Sequence, residues 1–324
     1  MKILFYGFRH GHMDGLYRMV QSRPGTEIVA CAEENAEAAA AAEARLGLRT
    51  DPRSYAELLQ TDCNVVAIGG AYTDRGQAAI AALRAGKHLI SDKPLCTSTD
   101  ELREIRALSR SLNRKIAVML DLRYLPQALR AREVLRSGML GEVRSISFDG
   151  QHCIDYDHRP SWYFEGKHGG TVNDLAIHGI DLVRWLTGLE WGQADGIRTW
   201  NAFAVRHPDF YDSAMILARL SNGAEVSADV SYSAPQSAFT LPTYWSFRFW
   251  CERGMMTFHY TDPRVTVYTD AGAQVLDGIS AEYTVLDDLD REIGSPTERT
   301  FTESVLDSTE TALRLQQCAD RSAH

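Results

Sequence analysis

The sequence lacks the features that mark several classes of protein. Its six cysteines are far apart and include no C-x-x-C pair, which excludes a zinc knuckle and a disulfide framework and fits a reducing compartment. No apolar run approaches the roughly 18 residues that span a bilayer, and the apolar start lacks a signal-peptide cleavage site. The net charge of −9, with no run of basic residues, argues against nucleic acid. We therefore expect a cytoplasmic protein without a membrane or nucleic-acid partner.

The length and the pattern of apolar residues predict two domains of different class. The chain has 324 residues, of which 44% are apolar, enough for two sizeable cores. Through residue 120, short apolar strands alternate with helices, which predicts an α/β fold with a doubly wound parallel sheet. From Val143 the apolar period becomes two, which predicts an α+β domain with a large, mainly antiparallel open sheet. We place the first domain at residues 1–122 and the second at 123–324, with a final helix near 301–319.

The individual elements follow from the same periodicities. In the first domain we expect strands at 3–6, 26–32, 65–68, 88–91 and 116–120, and helices at 36–46, 55–59, 77–85 and 99–112. In the second we expect a helix at 126–135, a strand from Val143 to Phe148, and strands at 215–220, 226–232, 244–250, 255–260 and 265–269.

The start of the chain resembles a nucleotide-binding unit in its layout. A glycine-containing turn, Gly7 to His12, separates the first strand from a helix. Glu33 follows the second strand, where a dinucleotide fold places an acid on the adenine ribose. Because no arginine follows this acid, its carboxylate favours NAD over NADP. Ligands collect at the carboxyl ends of such strands, so the cofactor-binding candidates are Gly7, Phe8, Arg9, His10, Gly11, His12, Glu33, Gly69, Gly70, Asp92 and Lys93.

The segment from Gly169 to Leu186 carries ionisable residues in a dense apolar pattern. Asp174, His178 and Asp181 fall at i, i+4 and i+7, on one face of a predicted helix. Because buried charges are costly unless paired, Asp174 can pair with His178 one turn later. Such a carboxylate fixes the imidazole tautomer and supports the imidazolium, which makes His178 a general-base candidate. The alternative is a structural pair, in which Asp174 caps the helix and satisfies a core histidine.

A long irregular segment, residues 152–168, precedes this predicted helix. Its polar rings and charges suit a hydroxylated substrate, although a solvated surface loop would also explain them. Candidates for contact with substrate are Arg123, His152, Trp162, Tyr163, Asn173 and Tyr232. A metal held by His152, Asp174 and His178 is the last of the alternatives, and we expect no metal.

The predicted strand 244–250 suggests association between subunits. Trp245, Phe247 and Phe249 line one face of it, and Tyr244 and Trp250 lie on the other. Apolar groups on both faces require that both be covered. We therefore expect a homodimer or homotetramer formed through the second domain's sheet.

Three segments resemble the Gfo/Idh/MocA oxidoreductases, which include inositol and sugar dehydrogenases. Residues 82–95, ALRAGKHLISDKPL, resemble the family's AL-x-AGKHV-x-x-EKP segment. Arg123, Pro126 and Gly138-x-x-Gly141 resemble its domain junction. Residues 169–188 match its GG-x-x-x-D-x-x-x-H-x-x-D-x-x-x-WL-x-G segment. The resemblance implies a Rossmann domain that binds NAD, with NADP less favoured, and an enzyme that acts on the CH–OH group of a sugar, inositol or related polyol.

The resemblance also implies the catalytic set Lys93, Asp174 and His178. His178 would take the proton of a substrate hydroxyl while a hydride leaves the same carbon for the nicotinamide. Lys93 would orient that hydroxyl and stabilise the developing alkoxide, and Asp174 would hold the imidazole.

The chain departs from the family pattern in the glycine turn and in the lysine segment. Arg9 and His12 occupy the later glycine positions, so Arg9 either contacts phosphate or forces a different approach of the cofactor. Arg75 stands where a histidine is usual, and Asp92 replaces the glutamate of EKP. Two other functions are compatible with this pattern: a hydrolase or epimerase that works through transient oxidation by bound NAD, and a non-enzymatic ligand sensor of the same fold.

Overall fold

The structure, a computed structural model, describes residues 1–237, 240 and 244–322. It divides into two compact units. The first comprises residues 1–119, 167–169 and 285–309, and the second comprises the other described residues. None of the described helices combines the length and hydrophobicity needed to cross a bilayer.

A five-stranded parallel sheet forms the centre of the first unit, in the strand order β2-β1-β3-β4-β5. Its elements in chain order are β1 (Lys2–Tyr6), α1 (His12–Ser22), β2 (Glu27–Ala32), α2 (Ala36–Leu46), α3 (Tyr55–Leu58), β3 (Val65–Ile68), α4 (Tyr72–Arg84), β4 (His88–Ser91), α5 (Thr99–Ser111) and β5 (Ile116–Val118). All residues of β3, β4 and β5 are buried, which explains the continuous apolar runs of β3 and β5. The predicted doubly wound parallel sheet is confirmed.

Helix α4 is longer than the sequence indicates. It begins at Tyr72, whereas the predicted helix begins at Gln77, because Gly76 argues locally against helix. In the structure, Gly76 instead allows a close approach of α4 to α5, since a Cβ atom there would overlap the Glu101 carboxylate. A long-range packing contact therefore overrides the intrinsic preference of glycine.

The second unit is built on an eight-stranded sheet in the order β13-β12-β11-β10-β6-β9-β8-β7. Its elements are α6 (Pro126–Arg136), β6 (Val143–Cys153), α7 (Ile177–Thr187), β7 (Trp191–Trp200), β8 (Ser213–Leu220), β9 (Glu225–Ala234), β10 (Ser246–Cys251), β11 (Gly254–His259), β12 (Asp262–Thr269) and β13 (Gly272–Leu276). Helices α8 (Val285–Ile293) and α9 (Thr300–Ser322) follow in the chain. All neighbouring strands pair antiparallel except β6 and β9, so the prediction of a mainly antiparallel sheet is confirmed.

The two faces of this sheet differ in exposure. Phe148 of β6 packs against Gly179 of α7 so closely that a Cβ atom on the glycine would overlap the ring. Phe247 and Phe249 of β10 are also buried. On the other face, large apolar side chains are about half exposed, namely Met215, Leu217, Trp250 and Tyr268.

The segment predicted as irregular, residues 152–168, is partly ordered in regular structure. Strand β6 continues through Cys153, and a short 3-10 helix spans Ser161–Tyr163. The aromatic side chains of Trp162 and Tyr163 are buried, so this part of the segment is not a solvated loop.

Candidate cofactor-binding and catalytic residues

The turn that follows β1 lies against the end of β3. Gly7 has φ +93°, and a Cβ atom there would overlap the backbone of Gly70. The amide of Arg9 donates to the carbonyl of Gly69 over 2.9 Å. Glycine is thus required at position 7 for two reasons: the positive φ, and the close approach of this turn to the backbone of Gly70.

Arg9 points at Glu33, the acid expected at the adenine ribose. Its Nε lies 2.8 Å from Glu33 Oε1, and the amides of Phe8 and Asn35 donate to the same carboxylate over 2.8 and 2.9 Å. Glu33 is therefore fixed by the turn and partly neutralised. Of the two expectations for Arg9, the structure favours the indirect one, since the guanidinium binds a carboxylate of its own chain.

A cavity of about 250 Å³ opens beside this ion pair, at the carboxyl ends of the parallel strands. Tyr6 and Tyr55 stack with their ring centroids 3.8 Å apart, and the Tyr6 hydroxyl donates to Glu34 over 2.5 Å. The lining residues are Tyr6, Gly7, Arg9, Glu33, Glu34, Tyr55, Ile68, Gly70, Ala71, Asp74, Arg75, Gln77 and Ala78. Aromatic rings together with polar groups at this edge fit the adenosine half of a dinucleotide.

Asp92 organises the end of β4. Its carboxylate is completely buried, accepts hydrogen bonds from Arg75 Nη2 (2.8 Å) and from the amide of Lys93 (2.8 Å), and lies 2.9 Å from His12 Nδ1. Burial alone would raise the pKa of this carboxyl, but Arg75 and the imidazoles of His10 and His12 hold it well below its usual range. Asp92 is therefore ionised.

Arg75 also binds the backbone at the ends of two neighbouring strands, β3 and β4. Its guanidinium donates to the carbonyls of Gly70 (2.8 Å) and Lys93 (2.5 Å), in addition to Asp92. The buried Lys93 ammonium lies 5.9 Å from the centroid of the Tyr72 ring, which also packs against Arg75 at 4.5 Å. Arg75, which our sequence analysis treated only as a departure, thus fixes the position of Lys93.

In the second unit, Asp174 lies in a π-helical turn, Val172–Ala176, directly before α7. Its buried carboxylate accepts hydrogen bonds from the hydroxyl of Tyr163 over 2.6 Å and from that of Tyr232. Burial raises the pKa of Tyr163, so this hydroxyl keeps its proton and remains a donor. Both tyrosines were expected at the substrate, and the structure shows that their hydroxyls orient Asp174.

Gln316 of α9 stabilises the same turn and was missed by sequence reasoning. Its Oε1 accepts the amides of Val172 (2.9 Å) and Asn173 (3.3 Å). The side-chain amide fills the space beside Gly170, where a Cβ atom would overlap it and where φ is +94°. No local pattern predicts this contact, because the hydrogen-bonded residues are 144 positions apart.

His178, at the second position of α7, is buried and lies edge-on to Trp245, with ring centroids 5.3 Å apart. The His152 ring contacts the same indole, with a centroid distance of 5.6 Å. Asp181 has a different role from the one its spacing suggests. It forms a buried ion pair with Arg123, whose Nε lies 2.6 Å from Asp181 Oδ2, so this guanidinium binds a structural carboxylate.

The structure also bears on the metal alternative. Within residues 1–237, 240 and 244–322, the imidazole and carboxylate groups that are close enough to share a metal ion are His10, His12 and Asp92. That group differs from the set His152, Asp174 and His178, which the sequence suggested as an alternative.

Comparison with known proteins agrees with this description. Residues 1–120 match the model of an oxidoreductase family with an NAD-binding Rossmann fold, and residues 128–257 match that of the Gfo/Idh/MocA C-terminal domain. Levoglucosan dehydrogenase of Pseudarthrobacter phenanthrenivorans is 28% identical over 255 residues, which are 71% of this chain and 64% of that protein. Inositol 2-dehydrogenase 2 of Saccharopolyspora erythraea is 28% identical over 205 residues, 63% of this chain and 58% of that protein. The chain therefore matches less than two thirds of the length of either relative.

Solved structures share the fold over nearly the full chain. Levoglucosan dehydrogenase in complex with NADH has a TM-score of 0.80 at 20% identity and covers 100% of this chain and 98% of that one. Myo-inositol 2-dehydrogenase from Lactobacillus plantarum has a TM-score of 0.78 at 19% identity, with coverage of 100% and 98%. Because family models match both the amino-terminal and the carboxyl-terminal part, the chain belongs to the Gfo/Idh/MocA family of oxidoreductases, with an NAD-binding Rossmann fold.

Proposed function

We propose that this protein is an NAD-dependent dehydrogenase or reductase that acts on the CH–OH group of a sugar, an inositol or a related polyol. The observation that carries the proposal is the presence of Lys93, Asp174 and His178, all buried, in a chain of this family. The curated relatives named above are dehydrogenases of levoglucosan and inositol, both hydroxylated rings, which supports the substrate class.

The proposed chemistry assigns one role to each of these residues. Bound NAD supplies the hydride acceptor. His178 takes the hydroxyl proton during oxidation and returns it during reduction. The Lys93 ammonium orients the hydroxyl and stabilises the developing negative charge on its oxygen. Asp174, fixed by two tyrosine hydroxyls, supplies the negative charge that favours a protonated imidazole.

Purified protein incubated with NAD and a panel of polyols and aldoses tests this proposal. We expect absorbance at 340 nm to rise with at least one member of the panel, because hydride transfer forms NADH. Conversion of a panel member with no net NADH formed would contradict the proposal and indicate a cycle of transient oxidation. Absence of any conversion across the panel would contradict the assigned substrate class.

Cofactor choice depends on the ion pair between Arg9 and Glu33. The Glu33 carboxylate disfavours the 2′-phosphate of NADP, and Arg9 offsets part of that charge. We predict that Glu33→Gln frees Arg9 for phosphate and shifts the ratio of NADPH to NADH dissociation constants about 10- to 100-fold toward NADPH, the value of a charge-assisted hydrogen bond. Fluorescence titration with both cofactors measures this ratio.

The exposed Glu37, on the following helix, provides a matched control, since Glu37→Gln makes the same change of charge. This variant should keep the wild-type ratio. An equal shift in both variants would show that net charge alone, without the contact to Arg9, sets the preference.

We also infer that the protein is a homodimer or homotetramer that associates through the open face of the eight-stranded sheet. The half-exposed side chains of Met215, Leu217, Trp250 and Tyr268 support this, because burying them would stabilise an interface. Light scattering tests it, and a mass of 36.2 kDa, that of one chain, would contradict it.

We propose residues 1–122 as the dinucleotide-binding domain and 123–324 as the domain for substrate binding and oligomerisation. A cytoplasmic location is supported by the cysteines, which form no disulfide within the described part of the chain. Cell fractionation tests this location, and recovery outside the cytoplasmic fraction would contradict it.

A further inference from the structure

Two histidines on either side of Gly11 direct their imidazoles at one buried carboxylate. His10 Nδ1 lies 3.0 Å from Asp92 Oδ2, and His12 Nδ1 lies 2.9 Å from Asp92 Oδ1. The two rings are nearly perpendicular, at 87°, so they converge on Asp92 without stacking on each other. We propose that His10, His12 and Asp92 form a binding site for a divalent transition-metal ion such as Zn²⁺ or Co²⁺.

The separations between the donor atoms agree with shared coordination. Two ligands bound to one zinc ion at about 2.0–2.1 Å, with an angle between 90° and 109°, are about 2.9–3.4 Å apart. The measured separations of 2.9 and 3.0 Å lie within this range. All three residues offer donor atoms within 4.8 Å of one another, which makes them a group that could hold one metal ion.

His10 supplies a second, independent observation. Its Nδ1 is buried, lies 3.0 Å from Asp92 Oδ2 and has no hydrogen-bond partner of good geometry. A buried nitrogen in this position is costly unless a ligand satisfies it.

The carboxylate is already held in position by groups that would lie outside the first coordination sphere. The Lys93 amide binds Oδ1 and the Arg75 guanidinium binds Oδ2, each over 2.8 Å. Metal-ligating carboxylates are commonly oriented by such hydrogen bonds. The positive charges of Arg75 and Lys93 weaken the attraction for any cation. Selectivity therefore depends on the two nitrogen donors, which favour zinc and cobalt over magnesium and calcium.

Three protein ligands leave at least one coordination position vacant, as in zinc sites that bind a water or a substrate oxygen. The inference rests only on residues of the first unit and does not depend on the proposed redox reaction.

Metal titration of the untagged full chain, stripped with a chelator and free of NAD, tests the inference. We expect one Co²⁺ per chain with the visible absorption of a low-symmetry nitrogen and oxygen site, and displacement of the cobalt by Zn²⁺ but not by Mg²⁺. His10→Ala and His12→Ala should each weaken binding by at least about 100-fold, since each removes one of three ligands.

His259→Ala, which removes an imidazole of the second unit, is the matched control and should bind cobalt like the wild type. Circular dichroism confirms that each variant is folded, and the histidine variants leave the pair of Arg75 and Asp92 intact. Absence of stoichiometric cobalt binding by the wild type would overturn the inference, as would unchanged binding by a variant lacking both His10 and His12.

Discussion

We expect His178→Asn to lower kcat by about 10²- to 10⁴-fold, the contribution of a positioned general acid–base group, which is the role proposed for His178. The amide of asparagine has no proton-accepting nitrogen near neutral pH, so the hydroxyl proton loses its acceptor. The dissociation constant of NADH should stay within about twofold of the wild-type value, because the cavity suited to adenosine is formed by residues of the first unit. Steady-state kinetics and NADH fluorescence titration measure the two quantities.

His259→Asn makes the same chemical change on strand β11 and should leave kcat unchanged. If His178→Asn retained more than about a tenth of the wild-type kcat, His178 would not be the general acid–base group. Loss of NADH binding in that variant would instead indicate a structural role for the imidazole.

Replacing Asp181 by leucine lowers the free energy of unfolding of the second unit by about 3–5 kcal/mol. The reason is that the buried Arg123 guanidinium loses the carboxylate that neutralises it, and burial of an uncompensated charge is costly. Urea denaturation followed by tryptophan fluorescence measures this change. The six tryptophans all lie in the second unit, so the signal reports that unit alone.

A double variant, Arg123→Met with Asp181→Leu, separates the loss of the charge partner from the loss of packing. It should recover most of the stability, because apolar residues of similar volume often replace a buried ion pair at little cost. Equal destabilisation of the single and double variants would show that the shape of Asp181, and not its charge, matters at this position.

The periodicity of apolar residues predicted both sheets correctly but missed strands at the margin of the second. Strand β7 contains Gly192 and Gly196, which interrupt the alternation, and β13 is an edge strand exposed along most of its length. Neither buries enough apolar surface to show a period of two. These strands form because a neighbouring strand offers its hydrogen-bonding groups, which a linear pattern does not reveal.

The spacing of the ionisable residues in the Gly169–Leu186 segment was informative only in part. An α-helical period places Asp174, His178 and Asp181 on one face, but the π-helical turn changes that period, and Asp181 binds Arg123. The turn itself depends on Gln316, a distant residue. The sequence pattern therefore predicted that these ionisable residues are buried. It did not predict their hydrogen-bond and ion-pair partners, which only the tertiary structure shows.

The relation between Arg9 and Glu33 was overlooked for a similar reason. No arginine directly follows the acid, whereas the arginine that binds it precedes it by 24 positions. The two residues meet because β1 and β2 are parallel neighbours whose carboxyl ends coincide. Sequence alone located the acid correctly at the end of the second strand but not its counter-ion.

The contact of Gln316 with the Asp174 turn has a consequence for the order of events during synthesis. The amides of Val172 and Asn173 emerge from the ribosome 144 and 143 residues before the side chain that binds them. The sheet of the second unit can pair its strands in the nascent chain, but the turn bearing Asp174 gains its stabilising acceptor only after α9 has been translated. The turn that bears Asp174 is thus completed late, after residue 316 has left the ribosome.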